Sequence, residues 1–364
     1  MSKSRCRRIL YVAPSCSVHT RKWCDWFCAR GYEVHVATFD RDEINGAITH
    51  HMGTVARPDS NDGAKLAYLA AIRELKRIER EVNADIVHVH YASSYGTIAS
   101  FALEGPYFLS VWGADVYDFP KKSPFHRALI RRSLRKASYL MSTSRAMAEE
   151  ASSYTDKRFE ITPFGVDTEV FFPSEKEDRE GFVVGTVKGL SSKYGIDILL
   201  RACALVLAKC PELPLKVKIA GKGPDERNLK DLACELGIEH KVEWLGFVEP
   251  ADVPSVWQSL DVAVVPSILE SESFGVSAVE AQACAVPVIV SDIPGLLEAT
   301  DSQARVVVPR GDADTLSSAI IDLYRDLSKR RLLGERGRDY VVNHLSLVSC
   351  FESIERCYAE AIGD

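Results

Sequence analysis

Short β-rich apolar runs alternate with longer amphipathic stretches from the start of the chain. Ile9–Ala13 reads as a strand, Thr20–Arg30 as a helix stopped by Gly31, and Glu33–Thr38 as the next strand. Ala64–Val82 predicts a long helix, with strands at Ile86–His90, Tyr107–Val111 and Tyr139–Thr143. Such alternation predicts a doubly wound α/β domain with a parallel sheet. A polar run, Glu175–Arg179, then breaks the pattern. It restarts with strands at Phe182–Val187, Leu215–Ala220, Lys241–Leu245, Val262–Pro266, Pro287–Ser291 and Arg305–Val308. Helices are expected at Asp197–Leu207, Asp225–Leu236 and Val276–Cys284. Leu347–Ile362 closes the chain as a helix with Phe351, Ile354, Cys357 and Tyr358 on one face. The expectation is two Rossmann-like domains in tandem: residues 1–172, a linker at 173–181, residues 182–346, and a terminal helix over 347–364. Ligands of such sheets bind at the carboxyl ends of the strands, so two domains facing each other would hold one ligand in the cleft between them.

Composition narrows the class without naming it. At 364 residues the chain is long enough for two cores, and 46% apolar with 26% charged residues is an ordinary globular balance. A net charge of −6 argues against general nucleic-acid binding. None of the ten cysteines forms a C-x-x-C pair, and Cys24 and Cys28 have no histidine cluster beside them, so no metal site is expected. Arg5, Arg7 and Arg8 precede an apolar run too short for a signal sequence, and no run is long enough to span a bilayer. Reduced thiols in the cytoplasm are the expectation.

The most informative stretch runs from Pro266 to Pro287. A strand ends at Pro266, a loop carries Glu272, and a helix begins near Gly275 and Val276, with Glu280 further along it. Unpaired N–H groups at a helix start seat a phosphate or sugar oxygen, and two carboxylates so spaced can grip two hydroxyl-bearing rings of one ligand. Two solvated helix-end charges would satisfy the same spacing. A second cluster, Gly185–Gly195, puts Lys188 and Lys193 at a strand's carboxyl end, where fixed cations would meet the charge on a leaving diphosphate.

Together these stretches resemble glycosyltransferase family 4, whose members carry an E-x7-E signature on the GT-B fold. Glu272 and Glu280 enclose seven residues, and the Glu-Ser-Phe-Gly start fits as well. Ala285 stands where the family commonly has Gly. The resemblance implies a retaining hexosyl or N-acetylhexosaminyl transfer from a nucleotide diphosphate sugar, a UDP-sugar by family frequency. It implies that Glu272 contacts the donor sugar, Glu280 the ribose, and the backbone of Phe274, Gly275 and Val276 the sugar and phosphates. Lys193 matches a family lysine that binds the diphosphate, and Lys188 stands where the family has an arginine, without arginine's fork. No organic cofactor and no metal are implied, and the terminal helix is expected to cross back to the first domain.

Other segments extend the resemblance. His90 ends a strand whose last histidine reaches the donor sugar in the family, while His88 on the same face is given no such role. Trp112-Gly-Ala-Asp115 is similar to a Gly-x-Asp loop in which Asp115 would bind the acceptor or orient a hydroxyl, with Trp112 in place of a frequent histidine. In the first strand-to-helix turn, Ser15 and Ser17 replace a Gly-Gly pair, and His19 matches a family histidine, all three assigned to the acceptor. Thr162–Asp167 resembles an Asn-Gly-Val-Asp turn with Phe164 in the Asn position. Gly221 and Gly223 belong to a Gly-x-Gly-Pro turn expected to approach the nucleotide. The basic segment Lys121–Lys136, with Arg127, Arg131 and Arg135 in one helical column, suits a solvated face, a peripheral contact with an anionic membrane at its inner face, or attraction to a phosphorylated acceptor. The acceptor implied is a carbohydrate, lipid-linked or small-molecule hydroxyl. Rival readings are a nucleotide-sugar epimerase of the same fold, a phosphorylase-type enzyme, disfavoured by the short chain, and a catalytically silent binding protein.

Overall fold

The computed structural model describes residues 7–53, 63–174 and 181–363, with side chains from residue 70 onward in the helix that begins at Gly63. The chain divides into two compact units. The first comprises the chain up to Pro163 together with Phe351 onward, and the second runs from Phe164 to Cys350. The second unit begins earlier than the boundary expected at residue 172, since Phe164 already counts with it. Most of the expected linker, residues 175–180, lies outside the described residues, as does Arg5.

Seven strands build the first sheet: β1 (Arg8–Val12), β2 (Glu33–Thr38), β3 (Ile48–His51), β4 (Ile86–His90), β5 (Phe108–Val111), β6 (Tyr139–Ser142) and β7 (Phe159–Ile161). All pair in parallel, in the order β3-β2-β1-β4-β5-β6-β7. Parallel strands need covered faces, and Ile9, Leu10, Tyr11 and Val12 are accordingly fully buried. The helix Val18–Ala29 buries Trp23, Cys24, Trp26 and Phe27. From Phe351 on, the helix Leu347–Ile362 packs with this unit through Phe351, Ile354 and Tyr358, while Cys357 is only half-buried.

The second sheet has six parallel strands: β8 (Phe182–Val187), β9 (Leu215–Ala220), β10 (Val242–Gly246), β11 (Val262–Val265), β12 (Val288–Ser291) and β13 (Arg305–Val308). Their order, β10-β9-β8-β11-β12-β13, places the switch point of the winding between β8 and β11. The corresponding point of the first sheet lies between β1 and β4.

Several elements differ from the sequence reading. The first helix starts at Val18, not Thr20, and Tyr107 and Thr143 fall outside the strands expected to contain them. Strands β3 and β7 went unread, because Ile-Thr-His-His and Phe-Glu-Ile on sheet edges carry too little apolar alternation to stand out. Helices Ser94–Ala102, Arg145–Ser152, Ala313–Arg325 and Leu327–His344 were likewise not anticipated.

Candidate functional site

Both loops of the sequence-predicted donor site leave the second sheet at its switch point. Lys188 follows β8 directly, and the loop after β11 carries Ser267, Ser271 and Glu272. Their meeting is close: Lys188 Nζ lies 2.7 Å from a Glu272 carboxylate oxygen, with the two side chains only 11% and 7% exposed. Ser267 Oγ donates to the same carboxylate at 3.2 Å. A buried ion pair needs such extra hydrogen bonds, since desolvating two charges costs several kcal/mol each.

Lys193 lies in the short 3-10 turn Ser192–Tyr194, and its ammonium donates to the Ser271 carbonyl at 2.8 Å. Tyr194, which sequence analysis passed over, sits between the two lysines. Its ring centroid is 4.7 Å from the Lys188 nitrogen and 5.3 Å from that of Lys193. Its position between Lys193 and Gly195 was the available signal. Gly195 adopts φ +63, and a Cβ there would strike the Pro266 carbonyl, so the lysine loop can press against the glutamate loop only at a glycine.

Gly275 caps the helix Val276–Ala283 with φ +77, and no side chain caps that end. A Cβ at Gly275 would collide with Leu296. Phe274 is buried, its ring edge-on to Phe164 at 6.0 Å between centroids. Ser277 Oγ ties the helix start to β8 by donating to Val187 O at 2.8 Å. Glu280, half-buried on the same helix, accepts from Trp257 Nε1 at 3.4 Å. Gly221 and Gly223 back the lysine loop: added Cβ atoms would strike the carbonyls of Lys188 and Leu190. The turn therefore has a packing role in shaping that loop.

In the first unit, β4 separates two histidines. His88 is fully engaged, with Nδ1 2.5 Å from Tyr358 Oη and Nε2 2.7 Å from Ser110 Oγ. His90 is equally buried, yet neither ring nitrogen has a hydrogen-bond partner among the described residues. Tyr11, Trp23 and Trp112 surround its ring at centroid distances of 5.4, 4.9 and 4.5 Å. Burial, with His88 and His19 nearby, holds the His90 pKa far below the ordinary value. His19 sits edge-on to Trp112 at 5.8 Å, and burial together with Lys22 lowers its pKa to about 3.

Asp115 is buried, and its carboxylate accepts from the backbone N–H groups of Ala92, Gly113 and Trp112 at 2.8, 2.8 and 3.1 Å. It thereby fastens the loop after β4 to the loop after β5. Burial raises its pKa against the opposing pull of those hydrogen bonds. The Ser15 N–H donates to Thr38 Oγ1 at 3.1 Å, while its buried hydroxyl has no hydrogen-bond partner among the described residues. Ser17 precedes the helix Val18–Ala29 without capping it through its side chain. Among the described residues, no group of three His, Cys, Asp or Glu could hold a metal ion.

Comparison with known proteins matches both units. The family described as glycosyl transferases group 1 matches residues 167–340, and the family described as glycosyl transferase 4-like matches residues 8–144. An uncharacterized glycosyltransferase of Methanocaldococcus jannaschii is 24% identical over 90% of either chain. A GDP-mannose-dependent monoacylated alpha-(1-6)-phosphatidylinositol monomannoside mannosyltransferase of Corynebacterium glutamicum is 31% identical over 58% of this chain; the match spans 60% of that relative's length. Among solved structures, Anabaena HepE in complex with UDP superposes with a TM-score of 0.81 at 17% identity, over 98% of this chain and 100% of that one. The chain belongs to the family 4 glycosyltransferases and has the GT-B fold.

Proposed function

We propose that the protein transfers a hexose or N-acetylhexosamine from a nucleoside diphosphate sugar to a hydroxyl of a carbohydrate or lipid-linked acceptor, retaining the anomeric configuration. The observation that carries this reading is the buried Lys188–Glu272 pair at the switch point of the second sheet, beside the uncapped start of Val276–Ala283. On donor binding, Lys188 exchanges Glu272 for the diphosphate and Lys193 exchanges the Ser271 carbonyl. Glu272 is then free to accept from sugar hydroxyls, and Glu280 accepts from the ribose.

As the glycosidic bond breaks, its electron pair stays on the departing phosphate oxygen. The two ammonium groups and the positive helix end stabilise that growing charge. An acceptor hydroxyl attacks the same face, and its proton passes to the departing oxygen. His90, with both ring nitrogens open, is assigned to a sugar hydroxyl. Ser15, Ser17, His19 and Trp112 are assigned to the acceptor, and Asp115 to holding the loops after β4 and β5 in place. The scheme needs neither metal nor organic cofactor, because lysines supply the positive charge. Retention rests on the E-x7-E resemblance. UDP is the first choice of nucleotide, and the name of the Corynebacterium relative makes GDP the second.

Thermal shift with UDP-, GDP- and ADP-sugars tests the donor site. One nucleotide class should stabilise the protein, by about 2.7 kcal/mol at one hundred times its dissociation constant. Glu280→Ala and Lys193→Ala should abolish the shift. If no nucleotide sugar shifts the wild type at millimolar concentration, the reading is wrong. Conversion of donor to an isomeric sugar without acceptor would replace transfer by epimerisation.

A further inference from the structure

Among the described residues, no helix is long and apolar enough to cross a membrane. One helix nevertheless has the surface of an element that lies on one. Pro124–Lys136 packs inward through Ile130, Ser133 and Leu134. Its remaining arc exposes Phe125, Arg127, Arg131, Arg135 and Lys136. Arg127, Arg131 and Arg135 follow one another at four-residue spacing, so their side chains rise from one line along the helix.

Two aromatic rings flank this column. Phe125 is 67% exposed at the helix start. Phe101, 44% exposed at the end of the neighbouring helix Ser94–Ala102, lies 3.9 Å under the Arg132 guanidinium. Arg132 also donates to the Ser100 carbonyl at 3.1 Å, which fixes that stack. At the helix C-terminus, Lys157 donates to the Arg135 carbonyl at 2.8 Å and so adds a cation to the same end. No Asp or Glu occurs between Asp118 and Glu149 in the sequence. Lys121 is the member set apart, since Glu150 pairs with it at 3.3 Å.

We infer that the exposed arc of Pro124–Lys136, with Phe101 beside it, is a docking surface for an anionic lipid bilayer. Charge complementarity carries the argument. A basic helix arc with no acid of its own stands on a chain whose net charge is −6, and a flat anionic surface engages one face of a protein at a time. A polyanion long enough to wrap the molecule would meet net repulsion elsewhere. The exposed phenylalanines add what a soluble acidic partner does not require, apolar side chains poised to enter the headgroup boundary. Each arginine near such a surface multiplies partitioning about fivefold. This surface belongs to the first unit and the donor loops to the second, and its test stands or falls without them.

The experiment is co-sedimentation of the full chain with phosphatidylcholine vesicles, with and without phosphatidylglycerol. Binding is expected only with the anionic lipid, and added salt should weaken it. The variant R127E/R131E/R135E should lose sedimentation, and Phe125→Ser should weaken it severalfold, each with unchanged thermal unfolding. R331E/R336E, which reverses exposed charges of the second unit, should bind as wild type does. Failure of wild type to bind anionic vesicles would overturn the inference. So would equal loss in R331E/R336E, or binding of a soluble polyanion such as heparin in place of vesicles.

Discussion

Lys188, Lys193 and Tyr194 form a unit whose parts act on one another. A ring face attracts cations, by roughly 0.5 to 2 kcal/mol per pair depending on solvent access. Tyr194 thereby holds both ammonium groups over one loop before any diphosphate arrives. Tyr194→Phe keeps the ring face and should bind nucleotide as wild type does. Tyr194→Leu keeps an apolar side chain without the face, and calorimetric affinity for the donor nucleotide should fall about threefold to thirtyfold. An equal loss in both variants would assign the effect to the hydroxyl instead. The two glutamates and two lysines stood out in the sequence through their resemblance to the E-x7-E signature and its lysine loop, since their spacing around a strand end and a helix start suits solvated charges equally well. Tyr194 was not, because an aromatic beside a lysine reads equally well as core until the loop's curvature is known.

Strand β4 concentrates buried imidazole. His88 has its pKa lowered to about 3 by burial, and burial with His88 and His19 nearby also holds His90 well below the ordinary value. Both are neutral when folded and free to protonate when unfolded, below an ordinary pKa near 6.5. Folded stability is therefore fully present above about pH 6.5 and is lost as pH falls toward about 3. Urea denaturation should show it, at about 1.4 kcal/mol per pH unit for each such histidine once the unfolded group is protonated. His90→Phe should lose one proton's worth of that slope. Which of the two histidines stands open for a ligand is decided by the groups packed around β4: Tyr358 and Ser110 take both nitrogens of His88, and Tyr358 lies far along the chain. Alternation along a strand gives the face of a residue but not its partners. The same limit hid the edge strands, whose pairing comes from β2 and β6 and not from their own composition.

At the scale of the whole molecule, tandem doubly wound units were readable from the repeated alternation of apolar runs and amphipathic stretches. The point of division was less so, because the residues from Phe164 to Phe172 pack with the second unit. Arg338, for example, donates to the carbonyls of Thr168 and Phe171. Tyr358→Phe should cost about 1–3 kcal/mol in denaturant melts, since it leaves the buried His88 Nδ1 without a partner. The first unit is also discontinuous in sequence, taking its last helix from beyond Cys350. A ribosome therefore completes the whole second unit before it supplies Phe351 and Tyr358. During that interval Trp23, Trp26 and Phe27 lack the rings that cover them in the finished fold. The first unit's opening helix is thus sealed only after the second unit has been made, and its aromatic face is where a chaperone would find the unfinished protein.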